Sequence, residues 1–321
     1  MNDLRWFAPN PYTRVVASEL RKHGLVVALE GSEPARVALS MSGTTAQSAW
    51  QYARTIGCPL VLYIWDLPPA ATGSGSYDPV WAMGQSLIRI PRFRGGFARR
   101  AGYYSKLRYI ARGATEVWAP SSMTVELLKS RFGICSRQVP YCYDSARFMP
   151  ANTPRDLPPT LLTVGRFKRH KNQEATLRVA HRLGEDVQVR LIGMGPQAES
   201  LERMARSLGV KCRVDIEATD LAVVDACRRA RVAVCPSRFE GFGLAPLEAI
   251  ACGTPVVASD IPPHREFVGT AARFFPLDDD DELEAAVRAA LNGAAPDPSG
   301  LGSLTIPAAA ERFRSGLRAL L

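Results

Sequence analysis

Short apolar runs alternate along this chain with longer stretches whose apolar residues recur every three or four positions. The first pattern predicts buried strands and the second amphipathic helices. Strands are predicted at Leu4–Ala8, Leu25–Leu29, Arg36–Ser40, Pro59–Trp65 and Glu116–Ala119. Between them Pro11–His23, closed by Gly24, and Thr44–Ile56 have helical spacing, and Ser121 and Ser122 cap a helix to Phe132. A second alternation begins with strand Thr160–Val164, helix Asn172–Leu183, strand Val187–Ile192 and helices Gln197–Leu208 and Asp220–Arg229. It continues through strand Val232–Cys235, helix Leu244–Ala251 and strand Pro255–Ala258. Helix Asp281–Leu291, a Pro/Gly/Ser-rich linker over 294–306 and helix Ala308–Leu320 follow. Strands that alternate with helices imply an α/β fold of doubly wound parallel sheets. In such sheets ligands sit beyond the carboxyl ends of the strands.

Composition adds bounds to this pattern. The chain has 321 residues, enough for two domains, and its 46% hydrophobic content supports full cores. No apolar run reaches membrane-spanning length and no leader sequence opens the chain, so the expected location is the cytoplasm. Seven cysteines without a CxxC pair read as reduced, buried thiols. Residues 1–150 hold 18 Lys/Arg against 9 Asp/Glu, while residues 151–321 hold 22 of each, so the net charge of +9 resides in the first half. Its densest part is Arg89–Arg112, with Arg89, Arg92, Arg94, Arg99, Arg100, Lys106, Arg108 and Arg112 and no acid. Phe97, Ala101, Tyr104, Leu107 and Ile110 give the later part of it helical spacing. Basic residues without interleaved aromatic platforms argue against nucleic acid. They suit a solvated helix face, an anionic acceptor, or peripheral contact with an anionic membrane at its inner face.

The chemistry concentrates at Ser237–Asp260. A strand ends at Pro236-Ser237, a glycine turn Gly241-Phe242-Gly243 follows, and a helix opens at Leu244 with Pro246 in its first turn. Such a turn aims free backbone N–H groups at one point, where phosphate binds. Glu240 and Glu248 bracket it, and carboxylates beside a phosphate suit hydroxyls: a sugar on one side and a ribose on the other. The plainer reading makes Glu240 a helix cap and Glu248 a solvated face residue. Upstream, Gly165-Arg166 and Lys171 follow the first strand of the second half. An arginine fork and a lysine ammonium are both groups that bind phosphate oxygens. The neighbouring Lys168 and Arg169 read as a basic surface turn.

The stretch from Ser237 to Asp260 closely resembles the E-x7-E signature of retaining GT-B glycosyltransferases, especially glycosyltransferase family 4. The likeness runs through the C-terminal half. It implies two doubly wound Rossmann-like domains facing a cleft: residues 1–150 on the acceptor side, residues 151–305 on the nucleotide-sugar side, and a terminal helix over 306–321 crossing back to the first domain. The expected reaction moves a sugar from a nucleotide-diphosphate donor to a glycan, glycolipid or lipid-linked acceptor with its anomeric configuration kept, as in cell-surface polysaccharide synthesis. The donor is a co-substrate, and no cofactor or metal is required. The implied donor site comprises Gly165, Arg166, Lys171, Gly193, Met194, Gly195, Glu240, Gly241, Phe242, Gly243, Leu244 and Glu248. Arg166, Lys171 and Glu240 would act in catalysis. Relatives often carry a histidine where this chain has Trp65-Asp66-Leu67-Pro68-Pro69, so Asp66 is the catalytic substitute or else an Asx turn before the two prolines.

Competing signals remain. Gly193-Met-Gly195 after a strand, with Asp215 twenty residues past Gly195, matches a dinucleotide fingerprint. Asp278–Asp281 could hold a metal but precedes a helix, where acids cap free N–H groups. His264 and Arg265 follow a strand end and either line the site or belong to a plain loop. A nucleotide-sugar epimerase and a non-catalytic nucleotide-sugar-binding relative stand as alternatives to the transferase.

Overall fold

The computed structural model describes residues 1–7, 11–31, 33–41, 45–65 and 106–321, which divide into two compact units, Met1–Tyr141 with Ile306–Leu321 and Cys142–Thr305. The sequence reading drew its boundary at residue 150. Asp66, the loop that follows it and the basic stretch through residue 105 lie outside the described residues. No helix among the described residues is long and apolar enough to cross a membrane.

In the first unit β1 (Asn2–Phe7), β2 (Val27–Ala28), β3 (Ala35–Ser40), β4 (Leu60–Tyr63), β5 (Glu116–Ala119) and β6 (Arg137–Gln138) form one sheet in the order β2-β1-β3-β4-β5-β6. Every neighbouring pair is parallel. All of Leu60–Tyr63 is buried, as a central strand covered on both faces requires. Helices α1 (Pro11–Lys22), α2 (Ala46–Ile56), α3 (residues 106–113) and α4 (Ser122–Phe132) belong to this unit. Ser121 caps α4 by accepting from the Thr124 amide at 3.3 Å, and Gly133 closes it in the left-handed region. On α3, Leu107 and Ile110 enter the core while Arg108 and Arg112 are exposed. Leu107 thus packs inward and is not part of an apolar membrane face.

The terminal helix, Ile306–Leu317, belongs to the first unit. Phe313 anchors it there, with the rings of Trp6, Tyr63, Trp118 and Tyr141 at centroid distances of 5.6, 5.8, 5.4 and 6.3 Å. Arg312 donates to the Pro140 and Tyr141 carbonyls at 3.1 and 2.9 Å.

The second unit holds β7 (Thr160–Val164), β8 (Gln188–Gly193), β9 (Cys212–Ile216), β10 (Val232–Cys235), β11 (Val256–Ser259) and β12 (Ala272–Phe275). They form a second parallel sheet in the order β12-β11-β10-β7-β8-β9. The strand order reverses between β7 and β10. Helices α5 (Gln173–Leu183), α6 (Ala198–Ser207), α7 (Asp220–Arg229), α8 (Leu244–Ala251), α9 (Pro262–Val268) and α10 (Asp280–Leu291) complete the unit. β9, β12 and the short β6 carry polar residues in exposed or half-exposed positions at sheet edges and had no apolar run to announce them. α9 carries His264 and Arg265, for which the sequence offers a place lining the site or a plain loop; they lie instead on a helix that opens with Pro262-Pro263, since proline is tolerated in a first helical turn.

The Asp278–Asp281 run is fully engaged. Asp279 caps α10, accepting from the Asp281 and Glu282 amides at 3.2 and 2.9 Å. Arg178 grips Asp280 at 2.5 and 2.9 Å, Arg182 holds Asp281 at 2.5 Å, and Arg238 pairs with Asp278.

Replacing Phe313 by alanine should open a cavity in the aromatic core of the first unit and destabilise it by about 3–5 kcal/mol. Urea denaturation followed by tryptophan fluorescence measures this. A loss below about 1 kcal/mol would mean that the terminal helix is not part of that core.

Candidate functional site

The candidate site lies at the carboxyl ends of β7 and β10, the switch point of the second sheet. Leaving β7, the chain runs through Gly165, Arg166 and Phe167 into a 3-10 turn, Arg169–Lys171. Hydrogen bonds from Gly165 N to Ile192 O (2.9 Å) and Phe167 N to Met194 O (2.8 Å) extend the β7–β8 ladder beyond the strands. The two loops approach so closely that a Cβ on Gly193 would lie 2.0 Å from the Gly165 oxygen, and one on Gly195 2.5 Å from the Phe167 oxygen. Gly193 and Gly195 therefore allow two backbones to touch, which accounts for them without a dinucleotide. Asp215 is held by Arg190 and Arg213 at 2.7 and 2.5 Å and does not present a free carboxylate to a ribose. Burial works against its ionisation, but the two arginines hold its carboxyl below the ordinary value.

From β10 the chain passes through Ser237 and Arg238, whose amide donates to the His170 carbonyl at 2.7 Å. That bond draws the loop after β10 against the basic turn, so that Lys171 Nζ lies 2.6 and 2.8 Å from the two oxygens of Glu240. The side chains are only 18% and 14% exposed. Ser237 Oγ donates to Glu240 Oε1 at 2.7 Å. Burial opposes the charge on Glu240, yet the Lys171 ammonium and the hydrogen bonds from Lys171 and Ser237 outweigh it and hold the carboxyl below its ordinary value. His170, beside Lys171, is pushed down to about 4 by burial and then by the Lys171 charge.

The turn then reaches α8, with Gly243 at the N-cap in the left-handed region (φ 90°), where no side chain of that residue closes the first turn. Gly241 and Gly243 are buried and Leu244 is half-buried. Phe242 is 1% exposed and packs on Phe267 at 4.4 Å, so it can offer a ligand its backbone but not its ring. Glu248 is 8% exposed on α8, which removes its reading as a solvated face residue. Arg166, Met194 and Gly195 are exposed, as are Lys168 and Arg169.

Behind these residues lies a supporting layer in which the sequence singles out only His264, as lining the site or belonging to a plain loop. Gln173 donates to the Arg166 carbonyl at 3.0 Å from beneath the first loop. Ser259 Oγ donates to the Ser237 carbonyl at 2.5 Å, and His264 Nδ1 donates to the Ser259 carbonyl at 3.0 Å. Burial pushes the His264 imidazole down, so it stands neutral on α9 behind the turn. Arg265 faces away and grips Asp260 at 2.7 and 2.8 Å.

Because Glu240 titrates lower folded than unfolded, its stabilisation is complete above the unfolded value of about 4.3. It is lost as pH falls through the folded value. Lys171→Met should cost about 3 kcal/mol at pH 7 by stranding a mostly buried carboxylate, and less near pH 4. Adding Glu240→Gln should recover most of that loss in a urea-denaturation cycle. Additive losses in the double variant would show that the pair is not coupled.

Residues 144–299 match the family described as glycosyl transferases group 1. Among curated proteins the chain is 23% identical over 206 residues to O-antigen chain mannosyltransferase RfbU of Salmonella typhimurium, covering 63% of this chain and 58% of that one. It is 34% identical over 172 residues to D-inositol 3-phosphate glycosyltransferase of Pseudarthrobacter chlorophenolicus, covering 47% of this chain and 41% of that one. The chain thus spans well under two thirds of the length of these relatives. Among solved structures, sucrose-phosphate synthase from Thermosynechococcus elongatus superposes with a TM-score of 0.71 at 16% identity, covering 100% of this chain and 96% of that one. Anabaena HepE in complex with UDP and glucose gives 0.74 at 12% identity, covering 99% and 100%. The second unit is thus similar to the glycosyl transferases group 1 family over residues 144–299, and the two Rossmann-like units are those of the GT-B fold.

Proposed function

We propose that this chain transfers a sugar from a nucleotide-diphosphate donor to a glycan, glycolipid or other acceptor, keeps the anomeric configuration and needs no metal. The observation that carries this reading is the Lys171–Glu240 pair beside the N-terminus of α8. It sets a cation suited to a leaving phosphate against a carboxylate suited to a sugar hydroxyl. The relatives named as sugar transferases, and a solved neighbour described with UDP and glucose, support the same donor class.

In this reading Arg166 and Lys171 hold the diphosphate, and the backbone from Gly241 to Leu244 at the head of α8 adds its N–H groups. Gly165 and the turn Gly193-Met194-Gly195 border the nucleotide. Glu240 accepts from the sugar and Glu248 from the ribose. When the bond between the anomeric carbon and the phosphate oxygen breaks, its electron pair leaves with the diphosphate. Fixed cations aimed at that charge supply about 3–4 kcal/mol each. These cations do the work that a metal ion would do elsewhere.

The test is product analysis with an α-linked donor. Turnover should require an acceptor, persist in EDTA and yield an α-linked product by NMR. A changed free nucleotide sugar without acceptor would favour an epimerase, and binding without turnover a non-catalytic relative. A β-linked product, or activity abolished by chelation and restored by Mg²⁺, would overturn retention or metal independence. Arg166→Ala should lower kcat by about 10²–10³ without changing the melting temperature. Parental kcat in that variant would remove Arg166 from the diphosphate site.

A further inference from the structure

The hydrogen bonds at Glu240 are unequal. Oε1 takes two donors, Lys171 Nζ at 2.6 Å and Ser237 Oγ at 2.7 Å, whereas Oε2 takes Lys171 alone at 2.8 Å. A carboxylate oxygen offers two lone-pair positions. Among the described residues Oε1 is therefore filled and Oε2 keeps one position. Behind Ser237 stand Ser259, donating to the Ser237 carbonyl at 2.5 Å, and His264, donating to the Ser259 carbonyl at 3.0 Å. Ser237, Ser259 and His264 are all buried, so they act on a ligand through Glu240.

We propose that Ser237, held by Ser259 and His264, is a positioning residue that locks Oε1 of Glu240 and leaves Oε2 as the atom that accepts a hydroxyl of the donor sugar. This rests on the donor-site reading above. The terminal torsion of a glutamate is broad, so an unlocked carboxylate swings readily. In the free protein Lys171 alone could restrain it. Once a diphosphate arrives, its oxygens compete for the Lys171 ammonium, and Ser237 supplies the remaining hydrogen bond to Glu240 that no ligand contests. The role of Ser237 therefore grows on donor binding, and it bears on the sugar rather than on the nucleotide.

The experiment compares the parent, Ser237→Ala and Ser237→Cys. The cysteine keeps the approximate shape of serine but is only a weak donor. Calorimetry gives affinities for UDP, GDP, UDP-glucose and GDP-mannose, and steady-state kinetics uses whichever donor the parent turns over. Ser237→Ala should hold the diphosphate within about twofold of the parent, bind the matching nucleotide sugar about tenfold more weakly and lower kcat by a similar factor, as expected for one hydrogen bond to a charged group. Ser237→Cys should fall between the two, and it carries the test alone if the alanine variant does not fold. An unchanged ratio of sugar-nucleotide to diphosphate affinity, with parental kcat, would overturn the role of Ser237 and leave the donor site intact. Equal weakening towards both ligands would overturn it as well, because that pattern belongs to a structural residue. A parent that binds none of the four probes would remove the donor-site reading and this inference with it.

Discussion

A carboxylate that is mostly out of water can stay ionised only if something positive stands against it, and at Glu240 that partner is Lys171. Much of the second unit serves to bring the two together. Lys171 comes from the turn after β7 and Glu240 from the loop after β10, strands that are neighbours because the sheet reverses its winding between them. The Arg238 amide bonded to the His170 carbonyl closes the remaining distance. The pair keeps both side chains charged and fixes their orientation, while adding little net stability, as is usual for buried ion pairs.

Backbone geometry around the pair follows from the same need for close approach. The loops after β7 and β8 zip together through Gly165–Ile192 and Phe167–Met194 hydrogen bonds, and side chains at Gly193 and Gly195 would force them apart. Their closure fixes where Arg166 leaves the sheet. Gln173, buried below, ties the same turn to the start of α5. A glycine pattern that matches a dinucleotide motif thus arises from loop packing, and the acid that would complete the motif, Asp215, is held between two arginines on β8 and β9.

The first unit depends on its aromatic core in a comparable way. Trp6, Tyr63, Trp118 and Tyr141 come from β1, β4, β5 and the end of the first chain segment, and Phe313 of the terminal helix fills the space among them. Residues far apart in sequence therefore share one core. Large rings are well suited to this, because each buries a large apolar area and edge-to-face packing sets its orientation.

The sequence determined the parallel α/β class, the central strands and the glycine turn at α8, because central strands are apolar on both faces and a glycine turn before a helix has few other uses. It also placed Glu240, Arg166 and Lys171 as candidates, and the structure sets Lys171 against Glu240. Edge strands β9 and β12 were illegible, since one face and one rim meet water and their polar residues hide the period. The helix behind Pro262-Pro263 was hidden by residues that usually break helices. Tertiary structure alone decided that Glu248 is buried, that the ring of Phe242 belongs to the core, and that Ser237, Ser259 and His264 stand in line behind Glu240. These facts depend on which loops meet across the sheet. Contacts between residues distant in sequence leave no periodic trace in the chain, because they are set by strand order and not by local spacing.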